Sequence, residues 1–198
     1  MKIKYFYLAL LIFCFVLNNL AQTKTNLEKI DSLISQSVIQ IDSLTNPNEE
    51  VFLEITTPAS IEILKGQIIS AFSKQYKLIN SKENAKREIN YFLENVDIDY
   101  SNPQKESFFG SFVVERTIKL SGNILIRDER NSIKTIPINN SINDRVYLDE
   151  IRLLEDSSLP FTQSEIPTVP ILSNLFEPIV VVGTLIVTTI LLFTVRSK

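Results

Sequence analysis

Apolar positions form an unbroken run at each end of the chain and a regular alternation with polar ones in between. Residues 5–17 (YFYLALLIFCFVL) follow Lys2 and Lys4, and a polar break leads to Ala21 and Gln22. A basic start, a short apolar run and a small residue before the break are the parts of a secretory signal. The run falls short of the roughly 20 residues that span a bilayer, so 1–21 is read as a signal peptide. At the other end, residues 179–195 carry no charge and precede Arg196, Ser197 and Lys198. Residues 171–195 are accordingly expected to form a C-terminal transmembrane helix. The positive-inside rule puts the tail, 196–198, in the cytoplasm. The expected location is the inner (plasma) membrane, single-pass, with the N-terminal domain periplasmic or extracellular.

Segment 22–48 carries an N-terminal amphipathic helix. Asn26 is placed to cap it, and Leu27, Ile30, Leu33, Ile34, Val38, Ile41 and Leu44 recur at helical spacing. The seam lasts under three heptads, so it is expected to pack on its own domain and not to form a coiled coil.

Segment 49–157 reads as an α+β extracytoplasmic domain. Residues 51–56 alternate as a strand, and Thr57-Pro58 starts a helix with Ile61, Leu64, Ile68, Ala71 and Phe72 on one face. Residues 76–80 read as another strand. In 88–100, Ile89, Tyr91 and Leu93 share one parity while Val96, Ile98 and Tyr100 share the other. A parity change within a strand needs an extra residue, which predicts a bulge near Glu94 and Asn95.

Residues 111–127 are expected to be one long strand, with Phe112, Val114, Ile118, Leu120, Ile124 and Ile126 on one parity. A hairpin at Gly122-Asn123 would turn isoleucines onto the polar face, whereas a bend at Gly122 keeps the parity intact. A turn over 128–131 then sets Ile126 opposite Ile133 in a final strand. Pro137 requires that strand to lie at an edge or near its end. Asn143 or Asp144 should start a last helix carrying Tyr147, Leu148, Ile151 and Leu154. Residues 158–170, with Pro160, Pro167 and Pro170, read as an extended tether. The expected fold class is α+β: one small domain of helices packed on a largely antiparallel sheet, plus the C-terminal transmembrane helix.

Charge and composition narrow the chemistry. The formal charge of −3 becomes −5 when Lys2 and Lys4 leave with the signal. A mildly acidic, mixed-sign surface excludes nucleic acid as a partner, since that requires a basic face. The abundance of Ile, Asn and Lys fits an AT-rich bacterial genome. Cys14 is the only cysteine, and it lies inside the first apolar run behind Phe13, where neither lipidation nor a disulfide suits it. The chain has no His, so a Ser–His or Cys–His pair and a soft metal site are excluded. Four glycines make no phosphate loop. No catalytic, cofactor-binding or metal-binding residue is assigned; acid–base chemistry would fall to carboxylates, Lys or Tyr.

Asp97 and Asp99, two apart on a strand, form with Glu94 a candidate Ca²⁺ set. The apolar parity belongs to Ile98 and Tyr100, so the acids are expected to face water. Arg116 is in phase with apolar neighbours. It is read as a margin residue whose stem packs while its head reaches solvent, with a buried partner to an acid or ligand as the alternative. Phe108, Phe109 and Phe112, beside the polar loop 101–106, are the densest aromatic cluster and the candidate partner contact. Thr184 and Thr188 make a small-xxx-small pair, and Asn139-Asn140-Ser141 is a sequon that matters only in a eukaryotic host. Together these features predict a membrane-anchored cell-envelope binding or scaffold protein. It would hold the membrane through its C-terminal helix and a protein partner in the envelope, with no cofactor. The alternative is a carboxylate-dependent envelope enzyme. Oligomeric state is not legible in the sequence.

Overall fold

Alternating sequences that bury one face need a second layer, and here two helices supply it. The computed structural model describes residues 23–41, 49–107, 110–128, 132–169 and 171–195. In chain order the elements are α1 (Asn26–Ile39), β1 (Glu50–Thr56), α2 (Leu64–Ser73), β2 (Lys77–Leu78), β3 (Arg87–Lys105), β4 (Phe112–Asp128), β5 (Ile133–Tyr147), α3 (Ile151–Leu154) and α4 (Ile171–Val195). The five strands make one sheet in the order β2-β1-β3-β4-β5.

That sheet is mixed, which corrects the expectation of a largely antiparallel one. β3, β4 and β5 are antiparallel neighbours, but β1 runs parallel to both β2 and β3. The reason is α2, which carries the chain back to the starting end of β1, so that β2 must enter in the same direction.

The inward face carries Ile89, Tyr91, Leu93, Val96 and Ile98 from β3, and Ile118, Leu120 and Ile124 from β4. α1 covers it with Ile30, Leu33, Ile34 and Val38, and α2 with Leu64, Ile68 and Phe72, all fully buried. Phe72 meets Tyr91 edge to face, centroids 5.8 Å apart. The Tyr91 hydroxyl shares a 2.7 Å hydrogen bond with Ser37 on α1. Burial pushes its pKa up to about 12, against the pull of that bond.

The bulge lies where the parity change requires it: the β3–β4 register shifts between Leu93 and Asn95. β4 is a single strand through Gly122, and Pro137 sits in the edge strand β5. Other local expectations are corrected. α1 is capped by Thr25, whose hydroxyl accepts from the Glu28 N–H while Glu28 accepts from the Thr25 N–H, a reciprocal capping box. The strand expected over 76–80 shrinks to β2, because Tyr76 turns into the core. The last hairpin closes between Asp128 and Ser132, so Ile126 faces Lys134 and Ile133 is left 56% exposed. Asn143 and Asp144 do not start a helix; β5 continues to Tyr147, and a 3₁₀ turn, Leu148–Glu150, leads into the short α-helix Ile151–Leu154. The stretch 158–170, expected to run free, docks over its first half. Pro160–Thr162 forms a short 3₁₀ turn, Thr162 is fully buried, and Phe161 and Ile166 pack against the core.

The expected transmembrane helix is also corrected. α4 is helical, and its unbroken apolar run, 179–195, amounts to roughly 26 Å of helix, at the short end for a span. Among the described residues no helix is long and apolar enough to cross a membrane. The single-pass topology built on it has no support among the described residues. Thr184 and Thr188 donate back to the carbonyls of Val180 and Thr184, at 2.7 and 2.8 Å, within their own helix. The signal segment 1–21 and the tail 196–198 lie outside the described residues.

Candidate functional site

Facing positions on three adjacent strands put Tyr100, Arg116 and Asp144 side by side on the inward face. Arg116 is fully buried, against the expectation that its head reaches water. Its Nε donates to Asp144 Oδ1 at 2.8 Å and its second terminal nitrogen to Oδ2 at 2.6 Å, a two-pronged pair. The other terminal nitrogen donates to the Lys24 carbonyl and to Asn26 Oδ1, both at 2.9 Å. Asn26, also fully buried, donates to the Tyr100 hydroxyl and the Thr162 carbonyl, both at 2.7 Å. Lys29 Nζ lies 2.9 Å from Asp144 Oδ2. The first turn of α1 and the sheet therefore meet on one guanidinium, and Asn26 relays the contact to the docked 3₁₀ turn. Four of the guanidinium's five N–H donors are engaged by protein groups, which makes the cluster a latch between these elements.

Burial pushes the Asp144 carboxyl up, but hydrogen bonds from Arg116 and Lys29 outweigh it and hold the group below its ordinary value. A carboxyl whose folded pKa is depressed contributes stability that is complete above its unfolded value and lost as pH falls through the folded one. Acid should therefore weaken the latch. In a urea titration, the stability gap between wild type and Asp144→Asn is expected to narrow as pH drops from 6 to 3. A gap that stays constant with pH would remove Asp144 from the latch.

The acids singled out by spacing stay apart from this cluster. Asp97 and Asp99 are exposed and stand opposite Lys119 and Thr117 on β4. Glu94, extruded by the bulge, accepts from Asn123 Nδ2 at 2.8 Å. Among the described residues no three potential ligands converge to hold a metal ion. Phe112 is half-exposed with Lys105 Nζ 5.5 Å from its ring centre, whereas Phe108 and Phe109 lie outside the described residues.

On the outward face of the sheet the bulge and the chain leaving β1 frame a groove of about 830 Å³. Phe92, Leu125 and Asn123 on the sheet face contribute its floor, with Thr135 beside them on β5 and Thr57 and Pro58 at its border. Both helices of the core lie on the opposite face, which leaves this one open. Thr57 Oγ1 at the border is buried without a hydrogen-bond partner, as is Asn90 Oδ1 next to Leu125 in the pairing. Sequence reasoning passed over this face, although Phe92 and Leu125, apolar and out of phase with their strands, were its signal.

Beyond Leu125 the same face ends in a smaller cleft of about 180 Å³ between Lys82, Lys86, Arg87, Glu88, Arg127 and Asp128. The Glu88 side chain is only 8% exposed; it accepts from Lys82 at 2.5 Å and from Arg127 at 3.3 Å. Arg87 pairs with Glu49 at 2.9 Å.

No family model matches the chain, and no curated protein does. Among solved structures, a neuraminyllactose-binding hemagglutinin homologue from Helicobacter pylori is 17% identical over 51% of this chain and 67% of that one, with a TM-score of 0.33. A minor lipoprotein from Acinetobacter baumannii is 14% identical over 51% of this chain and 67% of its own, TM-score 0.32. Rare lipoprotein B from Shewanella oneidensis is 9% identical over 74% of this chain and 93% of its own, TM-score 0.34. Likeness at this level carries no argument about ligand or partner.

Proposed function

We propose that this chain is a non-catalytic binding protein of the cell envelope, and that its binding surface is the groove across the outward face of the sheet. One observation carries the reading: an apolar-floored groove of about 830 Å³, in the size range of small-molecule sites, lies on the face that neither core helix covers. Thr57, in the groove lining, and Asn90, beside it in the strand pairing, each carry a buried side-chain oxygen without a hydrogen-bond partner. Glu94 is the carboxylate in the groove lining and is already bonded to Asn123, an arrangement that suits recognition better than turnover. The envelope location rests on the signal-like segment 1–21. The aromatic run around Phe112, with Phe108 and Phe109, is a second contact surface for a protein partner.

The test is binding of 1-N-phenylnaphthylamine, a neutral dye that brightens in apolar sites, to the purified full chain kept soluble by an amphipathic polymer. Leu125→Asp places a charge on the groove floor. It is expected to weaken the groove-bound dye by about tenfold or more, since burying an unpaired charge costs well over the 1.4 kcal/mol of one decade. The circular dichroism should stay as in wild type. Unchanged dye binding by a folded Leu125→Asp variant would overturn the proposal.

A further inference from the structure

We infer that the occupant of this groove is a single-chain amphiphile with an anionic headgroup, its tail along Phe92 and Leu125 and its head in the Lys82–Arg127 cleft. The inference rests on the groove being the binding surface and adds what it binds. Successive outward residues of β4 are Asn123, Leu125 and Arg127; those of β3 are Phe92, Asn90 and Glu88, and the two rows are paired across the sheet. At about 3.4 Å per residue, the groove floor and the guanidinium at its end lie within roughly 14 Å on one continuous face. Apolar floor and cationic end are therefore parts of one surface.

The charge at that end favours an acid. Lys82 and Arg127 share the carboxylate of Glu88, and Arg87 pairs with Glu49; counting Lys82, Lys86, Arg87 and Arg127 against Glu88, Asp128 and Glu49, the cleft keeps one net positive charge. Lys86 borders the same cleft. Arg127 has further N–H groups in its planar fork, suited to a carboxylate or phosphate. A cleft of about 180 Å³ admits one small headgroup, whereas the groove of about 830 Å³ admits a chain. An extended peptide is disfavoured because this is a sheet face and not an edge, so the backbone ladder that gives peptides their affinity is missing. Asn90 lies between the floor and the cleft in the strand pairing, opposite Leu125.

The probes are dodecyl phosphate and dodecanol, each used to displace the bound dye from the full chain. Dodecyl phosphate is expected to displace it at about a tenfold lower concentration than dodecanol, and the advantage should shrink at high salt, as screened charges require. Arg127→Gln with Lys82→Gln should abolish the difference. That pair of substitutions strands the Glu88 carboxylate, so a triple variant that adds Glu88→Gln keeps the test interpretable should the double variant unfold. Equal displacement by the two probes in wild type would overturn the headgroup assignment and leave the groove as an apolar site. Failure of both to displace dye that is sensitive to Leu125→Asp would overturn the amphiphile altogether. Dye binding insensitive to Leu125→Asp would remove the groove reading on which it rests.

Discussion

Replacing Asp144 by Ala is expected to destabilise the fold by about 3 kcal/mol, the lower end of the range for stranding one member of a buried ion pair. The lower end applies because the Asp144 side chain is itself 26% exposed. Its partner is not: Arg116 is fully buried, and without Asp144 its charge keeps only the Lys24 carbonyl and Asn26 Oδ1. Arg116→Met combined with Asp144→Leu removes both charges. It should cost clearly less than the sum of the two single changes, with a coupling of roughly 1 kcal/mol or more as for residues in one network. Urea unfolding of the four proteins measures this. Hydrogen exchange adds a positional readout. Asn26 accepts from the guanidinium and itself donates to the Thr162 carbonyl, so the first turn of α1 and the turn around Thr162 should lose protection together in Asp144→Ala. If one end of the chain loosened without the other, the latch would not join them.

What the sequence disclosed and what it hid divide along the range of the interactions involved. The parity change between Leu93 and Val96 announced the bulge because strand period is a local property, and Pro137 marked β5 as an edge strand for the same reason. Strand direction leaves no trace in alternation, so the parallel pairing of β1 was invisible until α2 was seen to return the chain. Asn143 and Asp144 resembled a helix start because capping propensity is also local. The residue that holds Asp144 in a strand, Arg116, lies 28 positions earlier. Arg116 itself was in phase with the core, but whether its head is buried depends on Asn26, 90 positions away, and on a carbonyl 92 positions away. Asp144 shares the inward parity of Ile138, Ile142 and Val146, and that shared phase was the one available hint of the pair. At the C-terminus hydropathy suggested a span, but no helix among the described residues is long and apolar enough to cross a membrane. Phe92 and Leu125 were visible as out-of-phase apolar residues. Their meaning appears only once both helices are seen to occupy the other face, which is a tertiary choice.

Gly122→Ala is the second substitution expected to do serious damage, through space and not through backbone freedom. None of the described glycines has a positive φ, so alanine could adopt the same dihedrals. The obstacle is across the strand: a Cβ at Gly122 would sit 2.1 Å from the Phe92 carbonyl oxygen and 3.2 Å from the Leu93 Cα. Gly122 pairs with Leu93, immediately before the β3 register shifts, and a side chain there would press on the β3 main chain. Backbone cannot step aside as a flexible side chain would, so β3 and β4 must separate in the centre of the sheet. Overpacking typically costs 1–3 kcal/mol and occasionally more; a clash this close, against main chain, is expected at about 3 kcal/mol or above. Slippage offers no relief, because moving the register by one residue would turn Val96, Ile98 and Tyr100 out of the core. Gly66 in α2 is the matched control: its Cβ would meet nothing within 4 Å. Gly66→Ala should therefore stabilise by about 0.5–1 kcal/mol through helix propensity and a less free unfolded chain. Thermal unfolding of the two variants beside wild type should move in opposite directions. A Gly122→Ala protein as stable as wild type would mean that β3 and β4 do not approach this closely at the bulge. Glu94 would then owe its place at the groove to something other than that contact.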